Sequence, residues 1–340
     1  MDSLTQIVLG AACGEAVLGK KIGNKALLFG AIGGTIPDLD VLVGSWLYGN
    51  EIDAMLFHRG FMHSILFSVL GAFLIGWGVF KLYNTGKRYD TTTQRDWIAL
   101  FFWSLFTHPI LDSFTPYGTQ LFAPFSTYRV AFNNIAVADL FYTVPFLLCI
   151  SVMMFFNRQN KKRKTWLKLG IGISSAYMLF TIGNKLYIDY VFSSSLTDKE
   201  ITYQRFSAQP SIFNNILWYG IAETEANYKV AFYSLLDTSN RFSEWQTIPK
   251  MRLTDNTYDN DIACLAWFSN DYYNVQTLEN GEFLYNDLRY PLVETRNGYK
   301  SVFNLKLYET NGRLDMKPFA PEMEDFEFTV SALWERIKGK

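Results

Sequence analysis

Apolar positions gather into long runs in the first part of the chain, and those runs stop near residue 191. Crossing the hydrocarbon core of a bilayer takes about 20 mostly apolar residues in a helix. Residues 63–83, 97–114, 140–156 and 166–190 qualify directly. Residues 3–19 and 26–48 qualify less fully; they carry Gly10 with Gly14, and Gly30 with Gly34, at the spacing that lets helix backbones approach in lipid. About six membrane elements are therefore predicted. Pro37 should break the second, because it lacks a backbone donor and pushes Ile36 out of helical geometry.

Beyond residue 192 the pattern shortens. Segments 215–223, 227–236, 262–268 and 301–308 are rich in aromatic and β-branched residues and are separated by polar turns, which predicts strands of an antiparallel sheet. Residues 327–338 read as a closing helix. No internal repeat is present. The expected organisation is an α-helical multi-pass membrane domain over 1–191, followed by a soluble, mainly β domain over 192–340.

Basic residues orient the spans, since Lys and Arg collect in cytoplasmic loops. Lys20, Lys21 and Lys25 follow the first element. Lys87, Arg88 and Arg95 follow the third, and Arg158, Lys161, Lys162, Arg163 and Lys164 follow the fifth. Placing all three groups inside sets the N-terminus and the C-terminal domain outside the cytoplasm, in a cell (inner) membrane. Asp2 before the first apolar run, with lysines after it, is the reverse of a secretory signal. Composition agrees with lipid as a partner: 19% of residues are charged, against about 25% in an average soluble domain. The net charge of -1 gives nucleic acid no electrostatic purchase. The three cysteines, Cys13, Cys149 and Cys264, form no disulfide framework or CxxC pair.

Against that apolar background the polar residues within the spans carry the chemistry. All three histidines fall between 58 and 108. Ionisable groups at membrane depth are costly and face a protein interior or a watery cavity. Asp38 and Asp40 stand where Pro37 interrupts the second element, and a turn there can aim carboxylates at a cation. His58 and His63 flank Arg59 at the start of the third span, offering imidazole ligands and a guanidinium for a phosphate or carboxylate. His108 and Asp112 are i, i+4 neighbours on one helical face. Each pair alone has a plain alternative, such as a helix-end carboxylate or a buried His–Asp hydrogen bond. The predicted topology brings all six to one membrane face, with Asp139 entering from the same side.

The stretches MDSLTQIVLGAACGEAVLG, TIPDLDVL, HRGFMHS and HPILDSFTPYGTQLFAPFS, with LWYGIAET and YSLLD further on, resemble the YdjM-type family of membrane-bound metal-dependent hydrolases, some of them LexA-regulated. The resemblance implies metal-binding roles for Asp38, Asp40, His58, His63, His108 and Asp112. It implies secondary roles for Arg59, Arg129 and Asp139. The family commonly has histidine after the opening threonine where this chain has Gln6, which puts in question a second metal position involving Asp2 and residue 6. A more distant similarity, to the zinc phospholipase C superfamily, implies phosphoester hydrolysis.

The expected function is thus metal-dependent hydrolysis of a small or amphiphilic substrate, a phosphoester or lipid-linked compound. A divalent ion, zinc first with manganese or magnesium as alternatives, would activate water. Asp38 is the expected general base and Arg59 the expected stabiliser of developing charge. A metal or ion carrier, and a membrane-anchored binding protein with a structural metal, are the competing expectations. Carriers often show paired interrupted helices; this chain has one.

Overall fold

The computed structural model describes residues 1–340 apart from 254–255, 280, 297, 320–325 and 340. Two compact units emerge: Met1–Gly44 with Phe57–Ile182, and Ser45–Leu56 with Gly183–Lys340.

In the first unit, α1 (Ser3–Ile22) opens where Asp2 accepts the Thr5 amide at 3.0 Å. It ends at Gly23, whose φ of 62° favours glycine. Its partner α2 (Asn24–Thr35) crosses it at backbone contact. A Cβ on Gly10 would lie 2.3 Å from the Gly30 carbonyl oxygen, and one on Gly14 2.1 Å from that of Ala26. The glycine spacing thus marks a true close crossing. A 3₁₀ turn, Ile36–Leu39, interrupts the chain at Pro37 before α3 (Asp40–Leu47) continues it. Then follow α4 (Glu51–Phe57), α5 (Ile65–Tyr83), α6 (Gln94–Asp112), α7 (Leu140–Met153) and α8 (Lys161–Asp198). Ser64 caps α5 by accepting the Phe67 amide, and a reciprocal Thr93–Asp96 capping box opens α6. Apolar packing holds Leu18, Trp97, Leu100 and Leu105 at zero exposure.

Among the described residues, three helices are long and apolar enough to cross a membrane: Asn24–Leu47 taken through the Pro37 turn, Ile65–Tyr83 and Lys161–Asp198. This is fewer than the six expected. The 14 residues of α7 fall short of a span, and α1 and α6, although 20 and 19 residues long, carry the polar groups Gln6, Glu15, His108 and Asp112.

Basic residues of separate loops meet at one end of this unit. Lys21 Nζ lies 2.5 Å from Asp96 Oδ2, and Arg158 donates to the Lys21 carbonyl. Buried Arg163 donates to both Glu15 carboxylate oxygens at 2.7 Å and also to the Phe156 carbonyl. At the other end of α1, about 30 Å away at the rise of a 20-residue helix, the Asp2 amide donates to the Val137 carbonyl. Replacing Arg163 by methionine should strand Glu15 as a buried unpaired charge and cost roughly 3–5 kcal/mol. Denaturation in detergent should show it, and Glu15→Gln in the same chain should recover part of the loss.

In the second unit, β1 (Arg205–Pro210), β2 (Leu217–Glu223), β3 (Asn227–Ser234) and β4 (Ser243–Pro249) form one antiparallel sheet in that order. A second antiparallel sheet runs β10 (Arg313–Phe319), β9 (Asn304–Thr310), β6 (Phe283–Asp287), β5 (Tyr273–Thr277), and β7 (Leu292–Thr295) pairs with β8 (Gly298–Ser301). Strands predicted at 215–223, 227–236 and 301–308 are present with shifted ends, and α10 (Phe326–Ile337) closes the chain. The segment 262–268 is not a strand. It lies in α9 (Asp259–Phe268), which buries Asp261, Leu265 and Phe268 at helical spacing; a short apolar run does not by itself distinguish the two states. The hydropathy boundary at 192 falls inside α8, whose last turns pack Ile188, Val191, Phe192 and Leu196 against the first sheet. Segment 45–56 also belongs here: Ile52 joins the second sheet's core and Asn50 donates to the Leu314 carbonyl.

Candidate metal centre

Three distant segments deliver four side chains to one point in the first unit. Asp38 comes from the 3₁₀ turn after Pro37, His63 from a second 3₁₀ turn (Phe61–His63) that feeds α5, and His108 with Asp112 from successive turns of α6. One ligand atom from each lies within 4.8 Å of all the others. His63 Nε2 is 3.1 Å from His108 Nε2, each imidazole Nε2 is 3.4 Å from Asp38 Oδ1, and Asp112 Oδ2 is 3.5 and 3.7 Å from the two nitrogens. A tetrahedron of ligands at about 2.0–2.1 Å from a central ion has edges of ~3.3–3.4 Å. These five separations scatter around that edge.

Protons on the far sides of the rings strengthen the fit. His108 Nδ1 is 2.6 Å from the Gly34 carbonyl oxygen, so it must donate, which leaves Nε2 with a lone pair. His63 Nδ1 is 2.9 Å from Asp40 Oδ2, off the ideal hydrogen-bond line but close enough to need the proton there. Both Nε2 atoms therefore turn toward each other at 3.1 Å, beside two carboxylate oxygens, and share either a proton or a cation. Asp112 Oδ2 is buried without a hydrogen bond, with only the Arg59 Nε charge at 3.2 Å. Two imidazole nitrogens and two carboxylate oxygens at these separations form a donor set that can hold a cation. The residues fit a divalent ion.

Of the predicted ligands, Asp40 and His58 stand outside the tetrad. Asp40 accepts the Arg59 amide at 2.9 Å and the His58 Nδ1 proton at 2.6 Å, besides facing His63 Nδ1; this is the carboxylate–histidine arrangement that orients metal ligands. Burial pushes the His58 imidazole below its ordinary pKa, against the pull of Asp40. Arg59, in a left-handed conformation at φ 58°, turns its side chain onto Asp112, Thr115 and the Tyr117 ring. Arg129 covers the other contact to that ring and donates to the Tyr117 and Gly118 carbonyls. Gln6 donates to Asp112 Oδ1 at 2.8 Å and to the His108 carbonyl, and the Met1 amino group also pairs with Asp112. Asp2 caps α1, and Asp139 caps α7 while accepting the Tyr177 hydroxyl at 3.0 Å; neither reaches the tetrad.

Sequence reasoning gave no role to the Gly34 carbonyl, Thr115 or Tyr117. The last two follow Asp112 directly in HPILDSFTPYG, so their nearness in the chain was a usable signal. Backbone carbonyls leave none.

A family model described as YdjM inner membrane protein matches residues 1–187. The segments LWYGIAET and YSLLD lie beyond that match. An uncharacterized protein, YfhP, of Bacillus subtilis (strain 168) is 30% identical over 162 residues, which is 45% of this chain and 46% of that protein. The chain thus spans less than half the length of that relative. No solved structure matches.

Proposed function

Since this chain belongs to the YdjM inner membrane protein family, we propose that it is a multi-pass inner-membrane hydrolase whose tetrad Asp38, His63, His108 and Asp112 holds one divalent ion, zinc by its nitrogen and oxygen donor set. The spacing of the four ligand atoms carries this reading. A bound ion would supply Lewis acidity and make water acidic enough to ionise near neutral pH. The chain's own groups divide the remaining tasks. Asp40 fixes the His63 ring, and Arg59 with Gln6 fixes the Asp112 carboxylate. Asp38, 22% exposed where the other three ligands are at most 1% exposed, marks the side from which substrate arrives. His58, tied at Nδ1 to Asp40 and 20% exposed, is placed to move a proton through Nε2. That assigns proton transfer to His58 beside Asp38, and gives Arg59 a positioning role in place of direct charge stabilisation.

An amphiphilic phosphoester suits the surroundings. An apolar groove of about 330 Å³, lined by Ile7, Ile32, Ile36 and Leu39, includes residues of the same turn that carries Asp38, which supports an apolar tail on the substrate. The clustering of Lys and Arg at one end of the helices supports a cytoplasmic position for that end, with the tetrad toward the outer face and the C-terminal domain outside.

Purified protein should contain one zinc per chain and hydrolyse a member of a phosphoester panel. Asp40→Asn should weaken metal retention about 10–100-fold, the usual cost of losing an outer carboxylate. His58→Ala should keep its metal and lose roughly 10²–10⁴-fold in turnover. Ion uptake into proteoliposomes without hydrolysis would replace this reading with the carrier.

A further inference from the structure

A second site lies wholly within the β unit, and we propose that it binds a neutral carbohydrate chain. A cleft of about 1050 Å³ is lined by β4 of the first sheet, by β5, β6 and β9 of the second, and by the β7–β8 hairpin. That exceeds the ~300–1,000 Å³ of ordinary small-molecule sites and suits several linked units.

Its floor has a regular chemistry. Asn274 pairs in register with Asn286, Asn286 with Asn304, and Asn304 with Phe319, so one transverse row crosses all four strands of the second sheet. Neighbouring strands are about 4.8 Å apart, which repeats a side-chain amide at nearly the rise of one pyranose in an extended glycan. Planar amides donate and accept in one plane, as vicinal hydroxyls require of a partner. Asn286 Nδ2 donates to Asn274 Oδ1 at 2.7 Å, and Asn304 Nδ2 to the Ser301 carbonyl at 2.8 Å. Asn304 Oδ1, on a residue only 7% exposed, is left with no hydrogen bond, and so is Ser301 Oγ beside it. Buried polar atoms of this kind ordinarily have partners. A ligand hydroxyl would provide them.

The rest of the lining selects the ligand class. Lys300 is the single charged residue among the lining positions, so neither an anionic polymer nor a charged peptide finds matching partners. Tyr299 and Phe319, 38% and 39% exposed, offer flat faces to the C–H side of a sugar ring. An extended peptide would instead need a free strand edge. On β5 the Val275 amide is already given to the Met251 carbonyl.

The test uses the full-length chain in lipid nanodiscs, free of sugar-based detergent. It is titrated calorimetrically with neutral gluco- and N-acetylglucosamine oligosaccharides, a neutral extended peptide and an anionic oligosaccharide. One neutral oligosaccharide series should saturate with a Kd of about 1 mM or tighter. Asn304→Leu should weaken it about tenfold, and so should Phe319→Ala, a surface change that leaves the core intact. Absence of saturation by every neutral oligosaccharide, binding of the peptide or the anionic chain alone, or unchanged affinity in Phe319→Ala would each overturn the proposal.

Discussion

His108→Ala should leave the membrane extraction with less than a tenth of the zinc held by the unchanged protein, and with no hydrolysis above background. The loss should exceed the ~10–100-fold range of outer-group changes, because a ligand itself is gone and Asp112 and His63 are left facing each other across an unfilled space. The Gly34 carbonyl loses its contact with His108 Nδ1 as well. Elemental analysis of purified protein reads the first effect, and a phosphoester assay with added zinc reads the second. His63→Ala should behave alike. Asp38→Asn, at the most exposed ligand, should retain metal better than either while still losing turnover. Zinc held at full occupancy by His108→Ala would remove the tetrad as a metal centre.

The second large effect concerns the α1–α2 crossing. Gly14→Leu should prevent stable accumulation, because even a Cβ at that position would lie 2.1 Å from the Ala26 carbonyl oxygen and 3.0 Å from Gly30 Cα. Overpacking ordinarily costs about 1–3 kcal/mol when side chains can shift. Here the obstacle is backbone, so the helices must part, and a loss above roughly 4 kcal/mol is expected. Gly14→Ala should show the same defect in milder form. Gly78→Ala is the matched control: nothing lies within 4 Å of its Cβ position in α5, so it should be neutral or stabilise by about 0.5–1 kcal/mol. Membrane levels and thermal aggregation of the three variants would separate these outcomes. Equal behaviour of Gly14→Leu and Gly78→Ala would refute the close crossing.

Much of this was legible in residue order. The i, i+4 relation fixed His108 and Asp112 on one face, and Pro37 announced the turn that releases Asp38 from helical direction. What spacing could not decide was which of Asp38 and Asp40 would be a ligand. In the 3₁₀ turn and the helix start after it, one carboxylate enters the tetrad and the other supports the far nitrogen of His63, and a sequence shows the same letters for both duties. His58, expected among the ligands, lies outside the tetrad and pairs with Asp40; an imidazole in either setting looks alike before folding. In the β unit, IACLAWF was too short and too evenly apolar to distinguish helix from strand, and the partners of its buried face, such as Tyr285 and Leu307, come from far along the chain. The asparagine row was invisible for a related reason, since it exists only once three strands stand in register.

The tetrad draws on residues 38, 63, 108 and 112, so it cannot exist during synthesis until the sixth helix has left the ribosome and joined the earlier ones. An ion held there would therefore load late in biogenesis, and once captured would act as a clasp that discourages the hairpins from separating again. At a thousandfold excess over Kd, such a clasp is worth about 4 kcal/mol. Cells starved of metal should accordingly yield a chain that inserts normally yet is trimmed by membrane proteases sooner than its replete counterpart.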